Sequence, residues 1–101
     1  MGEGVVGRLA AWYASQCNGE WEHTYGIVIE TLDNPGWRLR ADLTETLLER
    51  AAFKAVVREN SPRDWIDCRV EDGAFQGHGG TGNLEEIITI FLEWAESHQI
   101  P

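Results

Sequence analysis

Near the start of the chain, apolar residues recur at three- and four-residue spacing. Val5, Val6, Leu9, Trp12 and Tyr13 form one stripe, which predicts a helix over residues 5–17. Asn18 and Gly19 follow, and both tolerate the left-handed backbone that ends helices. From Trp21 the period changes to two. Trp21, His23, Tyr25, Ile27 and Ile29 fall on one face, against Glu22, Thr24, Gly26, Val28 and Glu30 on the other. The turn residues Asp33-Asn34-Pro35-Gly36 interrupt this run. Alternation resumes through Trp37, Leu39, Ala41 and Leu43, so the two runs predict a hairpin with one buried face.

Residues 44–52 fit either a helical turn or a bent continuation. A third strand is expected over 53–59, broken by Asn60-Ser61-Pro62-Arg63. A fourth is expected over 64–71, with Ile66, Cys68 and Val70 opposite Trp65, Asp67 and Arg69. Asp72-Gly73 signals a tight hairpin, with a short fifth strand over 74–77. A glycine-rich stretch from Gly77 to Gly82 reads as a flexible crossover that needs little from its side chains. Asn83 then suits a helix N-cap, with Glu86 at the capping-box position. Leu84, Ile87, Ile88, Phe91, Leu92 and Ala95 form the stripe of the last helix, widened by Ile90 and Trp94. The expected fold class is α+β: an antiparallel sheet of four or five strands flanked by an N-terminal and a C-terminal helix. At 101 residues, one domain spanning 1–101 is expected.

Charge narrows the choice of partner. Seventeen acids against eight bases give a net charge of −9. Nucleic acids and anionic membranes both call for a positive footprint, so neither is expected as a partner. The acids concentrate in the flanks, while residues 36–63 carry four acids and six bases. No run is long and apolar enough for a transmembrane helix, and the first residues do not read as a secretion signal. Cys17 and Cys68 are too far apart for a scaffold of disulfides and read as reduced thiols of a cytoplasmic protein.

Three constellations invite a chemical reading. Gly77, Gly79 and Gly82 spell G-x-G-x-x-G, but a dinucleotide site needs a parallel βαβ unit, and only nineteen residues follow Gly82. The histidines at 23, 78 and 98 have no ligand spacing, so no metal is expected. A cysteine nucleophile, as in a sulfurtransferase-like enzyme, is the alternative in catalysis. Cys17 falls at a helix C-terminus beside Glu20 and Glu22, which disfavours a thiolate, and Cys68 reads as a core residue. No catalytic residue and no cofactor is therefore expected. A generic protein-interaction module is the other alternative.

Longer strings carry a more specific signal. Cys17-Asn18-Gly19-Glu20-Trp21-Glu22-His23, Tyr25-Gly26-Ile27 and Thr31-Leu32-Asp33-Asn34-Pro35-Gly36-Trp37 resemble the signature of the bacterial immunity protein 53 family. Asp64-Trp65-Ile66 with Cys68, Phe75-x-Gly77-x-Gly79-Gly80, Asn83-Leu84-Glu85-Glu86-Ile87 and Phe91-Leu92-x-Trp94 are similar to the same family. The resemblance covers residues 9–95. An Asp is more usual in that family where Asn18 stands. The resemblance implies a cytoplasmic immunity protein that binds and neutralises a cognate toxin domain of a polymorphic toxin system. The net charge favours a basic toxin such as a nuclease. Expected contacts are Trp21, Glu22, His23, Asp33, Asn34 and Trp37. Turn formation alone also accounts for Asp33 and Asn34, and pairing with Arg38 or Arg40 also accounts for Glu22. Homo-oligomerisation is left open.

Overall fold

The computed structural model describes residues 4–98. The expectation of no targeting signal rests partly on residues 1–3, which lie outside them. The chain runs α1 (Val5–Gln16), α2 (Trp21–Thr24), β1 (Ile27–Leu32), β2 (Gly36–Asp42), β3 (Val56–Ser61), β4 (Asp64–Glu71), β5 (Ala74–Gly79) and α3 (Leu84–Glu96). The strands form one antiparallel sheet in the order β1-β2-β5-β4-β3. The expected α+β class is what folds.

Alternation sorts the two faces of the sheet. Leu39 and Ala41 on β2, Phe75 on β5, and Ile66 and Cys68 on β4 point to one side and are fully or nearly fully buried. There they meet Ile87, Ile88, Phe91, Leu92 and Ala95 of α3. Helix α1 packs on α3 in turn. Trp12 sets its ring edge-on to Phe91 at 4.9 Å, and Arg8 forks onto Glu96 at 2.8 and 3.1 Å. Of the stripe expected on α1, Leu9 and Trp12 are buried, but Val6 and Tyr13 stay exposed because the helix meets only part of that arc.

Four expectations need correction. Residues 21–24 form a helical turn, and the strand starts only at Ile27. The Asn18 Oδ1 accepts the Glu20 and Trp21 N–H groups, and the Glu22 carboxylate accepts those of Asn18 and Gly19. These local bonds favour a turn over extended backbone, which period-two spacing cannot reveal. An Asp at position 18 would offer the same acceptor. The third strand starts at Val56 and runs on to Ser61. Phe53 instead wedges between Phe75 and Trp94, with ring centroids 5.5 and 5.0 Å away. The ambiguous stretch before it is a chain of turns that drops Leu48 into the core.

The glycine stretch is the third correction. β5 extends through Gly79, so Gly77 and Gly79 are strand residues rather than a loose loop. A Cβ on Gly77 would sit 2.5 Å from Ile87 Cγ2, and one on Gly79 would sit 2.9 Å from Ile87 Cδ1. The absent side chains let α3 cross the sheet closely. Gly80 is equally constrained, because a Cβ there would run into the Arg63 carbonyl. The fourth correction concerns Asn83 and Glu86, which form no capping box. Their side chains are committed to the network described below. Asp72 and Gly73 behave as expected: both adopt positive φ, 55° and 73°, as the tight β4–β5 turn requires.

Candidate protein-contact surface

The face of the sheet turned away from α3 is mainly polar, with Val28 and Val57 exposed on it. The register sets Glu30, Arg38, His78 and Asp67 in one row across β1, β2, β5 and β4. Val28, Arg40, Gln76 and Arg69 form the next row. Its charges are largely matched: Arg38 pairs with Glu30, Arg40 with Asp42 at 3.1 Å, and Arg69 with Asp67 at 2.8 Å. Glu22 therefore pairs with neither Arg38 nor Arg40, since its carboxylate closes the α1–α2 corner. Its own backbone N–H chiefly, with those of Asn18 and Gly19, holds its pKa below the usual glutamate value.

The expected contact residues fall into two groups. Trp21, Glu22 and His23 sit at the α2 corner. Trp21 is 2% exposed, its indole N–H donates to the Thr44 carbonyl at 2.9 Å, and its ring packs against Trp12, Tyr13 and Tyr25. It has almost no surface to offer, so its part is to hold the corner. His23 is exposed. Asp33 and Asn34 occupy the β1–β2 turn at the other end of β1, and both are exposed. Six residues of strand separate the two groups, roughly 20 Å. Trp37 follows the turn, half-buried, with its indole N–H on the Thr81 carbonyl at 2.9 Å.

At the turn end lies a wide-mouthed cleft of about 590 Å³, lined by Asn34, Glu59, Asn60, Ser61, Pro62 and Trp65. The β1–β2 and β3–β4 turns meet across it. Of the expected contacts, only Asn34 lines it. Trp65 and Glu59 were not foreseen as contacts. Period-two spacing already set Trp65 opposite the core residues of β4, but Glu59 becomes its neighbour only through the β3–β4 register.

Beside the cleft, a polar network ties three elements together. Arg58 on β3 donates to both oxygens of Glu86 on α3, and to Asp64 at 2.7 Å. The Asn60 amide donates to Asp64 at 3.0 Å. Asn83, 7% exposed, donates to Asp64 and Glu86, while its Oδ1 accepts the N–H groups of Trp65 and Gly80. The amides of Asn60 and Asn83 and the Arg58 guanidinium hold the Asp64 carboxyl down at about 2, against an ordinary 3.8. Arg58 chiefly, with Asn83, also lowers Glu86. Both folded values lie below the unfolded ones. Their stabilisation is complete above the unfolded carboxylate range and is lost as pH falls through the folded values. Acid titration followed by circular dichroism should therefore show stability falling below about pH 4.5, and less steeply in Asp64→Asn.

The thiols are placed differently. Cys68 is fully buried, and burial pushes its pKa up to about 12. A thiol so protonated at neutral pH is a poor nucleophile. Cys17 caps α1, with its Sγ 3.4 Å from the Tyr13 carbonyl. His23 stands on α2, His78 on β5 and His98 in the turn after α3, and among the described residues no three of His, Cys, Asp and Glu converge as metal ligands. No helix among them is long and apolar enough to cross a membrane.

A sheet backed by helices on one face and free on the other defines a two-layer α+β protein with a broad surface available for contact. A family model described as Immunity protein 53 matches residues 6–96, and the chain belongs to that family. The likeness of its Trp21-Glu22-His23 and Asp33-Asn34-Pro35-Gly36-Trp37 strings to that family is thereby confirmed. No curated protein matches the chain, and no solved structure matches it.

Proposed function

We propose that this chain neutralises a cognate toxin domain by covering part of its surface, in the cytoplasm of the cell that makes it and without catalysis of its own. Membership of the Immunity protein 53 family carries this reading. The partner we favour is a basic domain such as a nuclease. Among the described residues, the carboxylates of Glu20, Asp33, Glu45, Glu49, Glu59 and Asp72 enter no ion pair. Such unmatched charge speeds encounter with a cationic partner.

Glu22, His23, Asp33, Asn34 and Trp37 are proposed contacts, with Trp21 supporting them from beneath. A standard interface covers roughly 800 Å² per partner, about 30 Å across, which is enough to reach both ends of the β1–β2 hairpin. The test is to co-purify the chain with the toxin domain encoded beside its gene and to measure association rate against salt. Association should slow as salt rises, and reversing the charges of Glu20 and Asp33 together should slow it about tenfold. Unchanged neutralisation and unchanged salt dependence in that double variant would refute the electrostatic part. Glu22 is unsuited to the test, because its carboxylate also closes the α1–α2 corner.

A further inference from the structure

We infer that the cleft between the β1–β2 and β3–β4 turns receives an arginine side chain from the partner protein. The inference rests on the proposed immunity role for the identity of the partner, and on the cleft alone for the arginine. Four observations select that chemistry. Glu59 lines the cleft, and its carboxylate enters no hydrogen bond or ion pair among the described residues. Arg58, the base next to it in sequence, is engaged by Asp64 and Glu86, and Arg63 neither lines the cleft nor forms an ion pair among the described residues. Glu59 stands directly opposite Trp65 in the β3–β4 register, so carboxylate and indole are cross-strand neighbours on one face.

The fourth observation is the direction of the amide of Asn60. Its Nδ2 donates to Asp64, which turns that nitrogen toward Asp64 and leaves Oδ1 to accept. The Ser61 hydroxyl already accepts the Arg63 N–H at 3.3 Å and keeps a second lone pair. The cleft thus offers acceptors, one full negative charge and one aromatic ring. A guanidinium has only donors, carries a charge that does not titrate away, and stacks on aromatic faces. Lysine meets the charge but not the planar stacking. The volume falls within the roughly 300–1,000 Å³ typical of binding pockets. Its wide mouth suits a side chain that projects from a surface.

The site can be tested without the toxin. The full chain, labelled with ¹⁵N, is titrated with a capped Gly-Arg-Gly peptide and, separately, with its norleucine counterpart. Saturable shifts are expected at the Trp65 indole N–H and the amides of residues 59–65 with the arginine peptide only. Glu59→Gln should weaken that binding about tenfold. Trp65→Leu should weaken it as well, with folding checked by the rest of the spectrum. Absence of saturation, equal shifts with norleucine, or unchanged affinity in Glu59→Gln would overturn the proposal. The toxin domain supplies the second arm. If it binds wild type and Glu59→Gln equally well, the cleft lies outside the interface and the proposal fails while the immunity role stands. If it does not bind wild type at all, the immunity role fails, and the peptide still decides the cleft.

Discussion

Replacing Trp21 by alanine is expected to cost about 3–5 kcal/mol of folding stability. The residue is buried among Trp12, Tyr13 and Tyr25, and its indole satisfies the Thr44 carbonyl. The loss is a large share of the roughly 5–15 kcal/mol that holds a domain together. It should lower the thermal midpoint by at least 12 °C or so. Trp21→Phe keeps a ring and loses the hydrogen bond, so about 1–2 kcal/mol is expected. Urea unfolding of the isolated chain checks both. A contact residue with no structural part would leave the urea midpoint unmoved, and that outcome would restore Trp21 to the interface.

Asn83→Ala is expected to cost about 1–3 kcal/mol, because it takes the Oδ1 acceptor from the Trp65 N–H and leaves the Gly80 N–H only the Trp65 carbonyl. Asp64 and Glu86 also lose a donor. Asn83→Asp keeps the acceptor but sets a third carboxylate against two that share Arg58 as their only basic partner among the described residues. It should fare no better at neutral pH. Urea midpoints measure the cost, and amide exchange at Trp65 and Gly80 locates it. Retained protection at both amides in Asn83→Ala would show that other acceptors suffice.

The architecture was legible where one periodicity ran without interruption. Leu39, Ala41, Ile66 and Cys68 alternate cleanly, and each is buried on the expected face. The stripe of α3 was legible for the same reason. Misreadings arose where local side-chain bonds or distant packing outweighed the pattern. Residues 21–24 alternate as a strand would, yet Asn18 and Glu22 bond the backbone into a turn. Gly77 and Gly79 look like loop residues until Ile87 is placed against them. The site was harder to read. Asn34 could be picked from its turn, but Glu59 and Trp65 come together only when β3 and β4 are in register. Expecting Asn83 to cap α3 correctly marked an important amide and assigned its bonds to the wrong partners.

The order of the strands bears on how the chain matures. β5 lies between β2 and β4, so it joins the N-terminal hairpin to the strands that follow it. On a ribosome, residues 27–42 emerge well before the strand that will flank β2. Synthesis at roughly 5–20 residues per second leaves them waiting for seconds with an unpaired edge. The nascent chain is thus vulnerable to proteases and to self-association until β5 is made.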